Sequence, residues 1–190
     1  MPKTKFTKEL ILNTAIQIAT SEGIDGITIR KIADMIGSSV APIYTTYKKR
    51  DELMKDVYEF VSQKILSFTD KRYTDNEFLN IGIGILQFAK NNPDLFKNYF
   101  LSSESNNIYL LIEKRYLSQL KKNKTLKSFT DEQIKNLLYK NWIVGLGLAL
   151  TLISSDQKDL ATYKMYMYEI GGDIIFSMKN NHDHEDCQNT

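Results

Sequence analysis

The chain has 190 residues, 42% of them hydrophobic and 25% charged, enough for one full core or for a small module joined to a larger one. Nine glycines and three prolines are too few for collagen-like, low-complexity or turn-rich all-β chains, and the single cysteine, Cys187, excludes an intramolecular disulfide framework or a Cys-rich zinc site. The net charge of +2 conceals an asymmetry: residues 1–50 hold eight basic and four acidic residues, the remainder 17 basic and 19 acidic, so the basic end is the one suited to polyanions.

The spacing predicts helices almost throughout. Ile11, Ala15 and Ile18, with Leu12, Ile16 and Ala19 beside them, make a broad apolar stripe on a first helix, with Thr7 as its N-cap and Gly23 as its stop. Residues 24–27 read as a connector. Thr28 caps a second helix carrying Ile29, Ile32, Ala33 and Ile36, and Gly37 ends it. Ser38 and Ser39 offer hydroxyls to cap a third helix through Val40, Ile43, Tyr44 and Tyr47. With Ser39 as the cap, Pro42 falls in the first turn, where its missing N–H is no loss. A fourth helix opens at Arg50-Asp51-Glu52, whose acids suit the positive end of the helix dipole, and continues through Leu53, Val57, Phe60, Val61 and Ile65. Further helices are predicted over 76–91, 93–101, 106–122, 130–154 and 157–179, and residues 181–190 read as a flexible polar tail. The fold class is therefore all-α, with about nine helices. No run reaches ~18 uninterrupted apolar residues, and the start MPKTKFTKEL has no apolar signal core, so the expectation is a soluble cytoplasmic protein without a membrane partner.

Residues 28–47 are the informative unit: a short helix, a glycine-containing turn and a second short helix, which is helix-turn-helix geometry. The second helix of such a pair lies in the DNA major groove with its first turn facing base edges. Ile29, Ile32, Ala33, Ile36, Val40 and Ile43 are spaced to lock the pair onto the first helix. The positions left over are small or polar; small side chains let a helix sink deeply, and hydroxyls bond bases or phosphates. The candidate DNA contacts are Thr28, Arg30, Ser38, Ser39, Ala41, Pro42, Tyr44, Thr45, Tyr47, Lys48, Lys49 and Arg50. Tyr44 and Tyr47 read as packing residues whose hydroxyls also touch phosphate, the Pro42 ring as a contact to a thymine methyl, and the run Lys48-Lys49-Arg50 as phosphate contacts.

The run from Thr28 to Leu53 resembles the DNA-binding domain of TetR-family transcriptional regulators. A threonine opens the second helix, Ile32-Ala33 and Gly37 precede the turn, Ile43-Tyr44 and Tyr47 mark the third helix, and Arg50 with Glu52-Leu53 opens the fourth. Arg50 stands where the family usually has lysine, Lys49 where a small capping residue is common, Ala41-Pro42 where glycine and a small hydroxyl residue are frequent, and Tyr47 where phenylalanine is usual. The motifs lie within residues 7–55; the rest of the chain matches in length, helical character and a long final helix pair. The resemblance implies a helix-turn-helix domain over residues 1–50 and a larger helical domain over 51–180 that binds an effector and dimerises. It implies a homodimeric repressor on a double-stranded DNA operator, released by a small, largely apolar or aromatic effector, with no cofactor.

In the larger part, Trp142 to Leu150 is apolar on nearly every side, and such a helix must be covered all round. Small residues here and in the last helix allow close helix approach, and the resemblance makes Trp142, Gly145, Ala149, Gly171 and Ile175 candidates for a dimer interface. Phe88, Phe96, Tyr99, Phe100 and Tyr109 are candidates for lining an apolar cavity, or for plain core packing. No catalytic constellation or metal-ligand spacing appears in the body of the chain, so neither catalytic residues nor a metal site is expected. The segment His182-Asp183-His184-Glu185-Asp186-Cys187 carries ligand types, but on an expected tail with no fixed site. The competing functional reading is a helix-turn-helix-fold adaptor acting mainly through protein partners.

Overall fold

A computed structural model describes residues 6–100, 102, 105–155 and 159–188. Among these residues there is no strand, and nine α-helices follow one another: α1 (Lys8–Glu22), α2 (Ile29–Met35), α3 (Ala41–Thr46), α4 (Arg50–Thr69), α5 (Glu77–Asn91), α6 (Pro93–Phe100), α7 (Ser105–Leu120), α8 (Asp131–Ser154) and α9 (Leu160–Gln188). A single 3-10 turn, Ile24–Gly26, joins α1 to the helix-turn-helix segment. The all-α architecture expected from the spacing is what is observed.

Local chemistry sets most helix ends. The Thr7 hydroxyl oxygen accepts from Leu10 N at 3.1 Å, and Gly23, at φ 87°, stops α1 in a conformation that a side chain resists. Thr130 and Gln133 form a reciprocal capping box at the start of α8. Asn76 caps α5, its Oδ1 accepting from Phe78 N at 3.0 Å and from Leu79 N at 3.3 Å. α9 runs through Gln188, into the segment expected as a polar tail. A polar run does not by itself end a helix, and no glycine or proline follows Gly172. The side chains of His182, His184 and Cys187 lie outside the described residues, as do residues 189 and 190.

Two compact units result. The first comprises Met1–Lys64 and Asn92–Ser105, so it extends past the boundary expected at residue 50 and takes back α6 from later in the chain. The reason is burial. Ile11, Ile18, Ile27, Ile32, Ile43, Leu53 and Val57 form a core to which α6 adds Leu95, Phe96 and Tyr99, each at most 1% exposed. Asn98 Nδ2 donates to Ala19 O at 3.3 Å, and the Tyr99 and Ser62 hydroxyls share a buried hydrogen bond of 2.8 Å.

The second unit, Ile65–Asn91 and Asn106–Thr190, is built on α5, whose residues 78–86 are buried without a break. α8 and α9 both pack on it. At Gly84 the α5 backbone passes so close to the end of α4 that a Cβ would stand 2.6 Å from Thr69 Cα. At Gly82 the space a side chain would need is filled by the end of Met167. α5, not α8, is thus the helix covered on every side. α8 is long and apolar enough to cross a membrane by length and composition, yet its Leu137, Leu138, Trp142, Ala149 and Leu152 are buried within the chain.

Candidate nucleic-acid interface

The turn between α2 and α3 is a Schellman motif. Ser38 N donates to Ala33 O at 2.9 Å, Gly37 N to Asp34 O at 3.3 Å, and Gly37 sits at φ 64°. Carbonyls at the end of α2 are thereby paired, and the chain reverses through a left-handed conformation that favours glycine. At the other end of α2, the Thr28 hydroxyl oxygen accepts from Lys31 N at 3.1 Å, so this candidate contact is engaged as a cap while remaining exposed. α3 begins one residue later than predicted: Val40 is the cap residue, without a side-chain cap bond, and neither Ser38 nor Ser39 supplies a hydroxyl. Those two serines are used as spacers for the turn.

α3 is anchored by Ile43, fully buried, and by Tyr47 at its end, 2% exposed. Its outward side carries Ser39, Ala41, Tyr44 and Thr45, all exposed, with Ser38, Pro42 and Thr46 at the margin. The hydroxyls of Thr45 and Thr46 donate back to Ala41 O at 3.0 Å and Pro42 O at 3.3 Å, so they present lone pairs and methyls outward. Val40, expected inside, is 41% exposed. As the cap residue it lies ahead of the helix and joins the exposed face as a further candidate contact.

Tyr47 is placed differently from the expectation of a phosphate contact. Its hydroxyl donates to Asp56 Oδ2 at 2.8 Å, and Lys8 Nζ lies 2.6 Å from the same carboxylate and 5.4 Å from the Tyr47 ring centroid. Burial first, and then the Asp56 carboxylate, push the phenol well above the ordinary tyrosine range. Lys8 holds Asp56 below the usual carboxylate range against the opposing effect of burial, with Tyr47 assisting. The hydroxyl that this chain has where phenylalanine is usual is therefore satisfied internally, nine residues downstream.

Positive charge flanks α3 on both sides. Arg30 of α2 and Lys48 and Lys49 of the α3–α4 connection are exposed and have no ion-pair partner among the described residues. Lys31, by contrast, is paired with Glu22. Arg50 Nε donates to Ile27 O at 3.1 Å, which ties the start of α4 to the residue before the α2 cap and leaves the rest of an exposed guanidinium outward. An exposed helix face of mostly small residues around Tyr44, between unpaired cations, is chemically matched to a duplex: the cations to phosphates, the helix face to a groove.

The remaining candidates fall elsewhere. Phe96, Tyr99 and Phe100 belong to the first unit, with ring centroids 4.4 Å apart for Phe96–Phe100 and 5.3 Å for Tyr99–Phe100, and Tyr58 at 6.1 Å from Tyr99. Phe88 and Tyr109 belong to the second unit, Phe88 against Phe68 at 5.6 Å and Tyr109 between Tyr139 at 5.2 Å and Trp142 at 6.2 Å. Burial, helped by Glu113, pushes the Tyr109 phenol up to about 12. Of the interface candidates, Trp142, Gly145, Ala149 and Gly171 face the chain's own core, Gly145 towards Ile85 and Gly171 towards Leu79, and Ile175 is half-buried. The apolar side chains that α8 and α9 turn outward are others: Tyr139, Ile143 and Leu150, and Met165 and Phe176. Gly147 and Gly172 stand among them with open space beyond.

Likenesses to known proteins agree with this geometry. No family model matches the chain. The nucleoid occlusion factor SlmA of Vibrio cholerae is 26% identical over 150 residues, 70% of this chain and 76% of that protein. For SlmA of Salmonella paratyphi B the match is 24% over 98 residues, and the chain spans about half the length of such Salmonella relatives. Among solved structures, a transcriptional regulator from Rhodococcus sp. Rha1 aligns with a TM-score of 0.61 at 16% identity, over 90% of this chain and 97% of that one. A TetR variant from Acinetobacter baumannii in complex with minocycline aligns with 0.59 at 12% identity, over 92% and 97%. A TetR-family protein of Vibrio parahaemolyticus aligns with 0.59 at 19% identity, over 85% and 96%. The motifs around α2 and α3, the order of the helices and these likenesses converge: the chain has the fold of TetR-family regulators.

Proposed function

We propose that the chain is a DNA-binding transcriptional regulator, acting in the cytoplasm as a homodimeric repressor that leaves its operator when a small, largely apolar or aromatic effector binds. One observation carries the reading: the outward face of α3 is exposed and built mainly of small residues around Tyr44, and the cations beside it, Arg30, Lys48 and Lys49, lack ion-pair partners among the described residues. Packing does not require either feature. The dimer is read from the outward apolar residues Tyr139, Ile143, Met165 and Phe176, which a second copy would cover. The effector is read from the aromatic groups around Tyr99 and Tyr109, and the minocycline complex of the Acinetobacter TetR supports a ligand-responsive fold. Switching is then a population shift: the effector favours a dimer whose two α3 helices no longer match successive major grooves about 34–36 Å apart. α4 suits the transmission, since its first residue, Arg50, is bonded to Ile27 ahead of α2.

The test is a titration of the purified chain against the duplex upstream of its own coding region, across salt concentrations. Binding is expected to weaken linearly on a log–log plot. Lys49→Ala, which takes one cation away from the phosphates, should lower the slope by about 0.9. Affinity indifferent to salt would reject the reading. A second reading, an adaptor working mainly through protein partners, is favoured by the relatives named for nucleoid occlusion rather than transcription. Under it, the same duplex binds no better than an unrelated one.

A further inference from the structure

The second unit holds a cleft of about 440 Å³ that the DNA reading leaves unused, within the size range of small-molecule sites. It lies among the α4–α5 connection, the α7–α8 connection and α9. Its walls are pre-formed. On one side, Asn80 Oδ1 gathers Tyr73 N at 3.2 Å, Thr74 N at 2.8 Å and the Thr74 hydroxyl at 3.0 Å, which fixes the backbone leading to Asn76. On the other, Asn123 Oδ1 accepts from Thr125 N at 2.9 Å, and Leu126 N donates to Asn123 O at 3.0 Å.

These bonds determine what the cleft offers. The amide oxygens of Asn76 and Asn123 are committed to backbone N–H groups, so the NH₂ end of each amide is the free end. The hydroxyls of Thr125 and Tyr168 have no hydrogen-bond partner among the described residues. The cleft is therefore rich in donors. Its one carboxylate, Asp75, is already paired with Arg72. Its floor is apolar, from Phe78 and Leu126, both at most 2% exposed, with Ile175 at the side. The α7–α8 connection carries four lysines, Lys121, Lys122, Lys124 and Lys127, of which Lys121 alone is ion-paired among the described residues, with Asp131; against them stand Asp75 just before α5, Glu77 at its start, and Glu169 and Asp173 on α9. Lys164 stands one turn before Tyr168 on α9, its Nζ 5.6 Å from the Tyr73 ring centroid.

The geometry points to a binding site for a small amphipathic carboxylate, its oxygens received by Asn76, Asn123, Thr125 and Tyr168 and its apolar body laid on Phe78, Leu126 and Ile175. Four converging N–H and O–H donors suit an anionic oxygen pair, and the unpaired lysines of the α7–α8 connection favour its approach. An occupant would tie both connections to α9. The site stands whether or not α3 binds DNA.

Hydrocinnamate is a suitable probe, with hydrocinnamamide as its uncharged counterpart. Titrating the full chain, with calorimetry and backbone amide NMR, is expected to show saturable hydrocinnamate binding, with shifts centred on residues 74–78, 123–126 and 168–175. The amide should bind at least about tenfold more weakly. The double variant Thr125→Val, Tyr168→Phe keeps the shape of the cleft and should also lose about tenfold in affinity. Lys124→Gln, on the exposed loop, is the second variant should the first melt early, and it should weaken binding severalfold. Absence of saturation at millimolar concentration, shifts centred outside these segments, equal affinity for acid and amide, or unchanged affinity in a folded variant would each overturn the assignment. Duplex binding measured on the same samples keeps this outcome separate from that of the DNA reading.

Discussion

Tyr47→Phe separates two uses of one residue. If its hydroxyl contacted phosphate, the change would weaken DNA binding and spare stability; the Asp56 hydrogen bond of 2.8 Å demands the reverse. A hydrogen bond to a charged acceptor contributes ~1.5–3 kcal/mol when its loss strands the acceptor. Here Asp56 keeps Lys8 at 2.6 Å, and its side chain is 23% exposed, so water can replace the phenol. The loss should therefore be about 1 kcal/mol, seen as a lower urea midpoint at unchanged slope. It should also depend on pH. Lys8, and to a lesser degree Tyr47, hold folded Asp56 below its ordinary value of 3.8, so this contribution is present above that value and is lost as acid titrates the folded carboxylate. Wild type and variant should thus converge at low pH. The Tyr47 phenol is raised by burial and by Asp56, so its contribution is complete below the ordinary value of 10.0 and is lost as pH rises beyond it. Duplex affinity should stay within about twofold of wild type. An unchanged midpoint with DNA binding about tenfold weaker would put the hydroxyl on phosphate after all.

Two further substitutions probe the second unit. Gly84→Ala would set a Cβ 2.6 Å from Thr69 Cα and 2.7 Å from Phe68 O, where only backbone can give way, and should cost about 3 kcal/mol in urea unfolding. A loss below about 0.5 kcal/mol would mean that α5 and the end of α4 are not so closely packed. Ile143→Glu changes a side chain that is 51% exposed in the single chain, so it should leave helix content intact and, if the proposed dimer forms through this face, give monomer where the wild type sediments as dimer at micromolar concentration. A variant that remains dimeric would move the interface off this face of α8.

Short-range chemistry wrote the helix ends. Thr7, Thr28 and Thr130 each bond a backbone N–H three residues on, and Gly23 and Gly37 take up positive φ, so these boundaries are set within a single turn of chain and can be read from the residues alone. The same holds for α2–turn–α3, whose motifs and spacing made the helix-turn-helix legible before any tertiary contact was known. Whatever depends on distant partners emerged only on folding. α6 joined the first unit because Leu95, Phe96 and Tyr99 are buried there, many residues from the core they complete. Tyr47 turned inward because Asp56 lies where its hydroxyl ends. Between neighbours such as Gly145 and Gly147, or Gly171 and Gly172, composition offers no choice; the packing of α8 and α9 on α5 sends one glycine of each pair to the core and leaves the other facing open space. The donor-rich cleft was invisible for the same reason, since its walls come from three segments that meet only once the chain is folded.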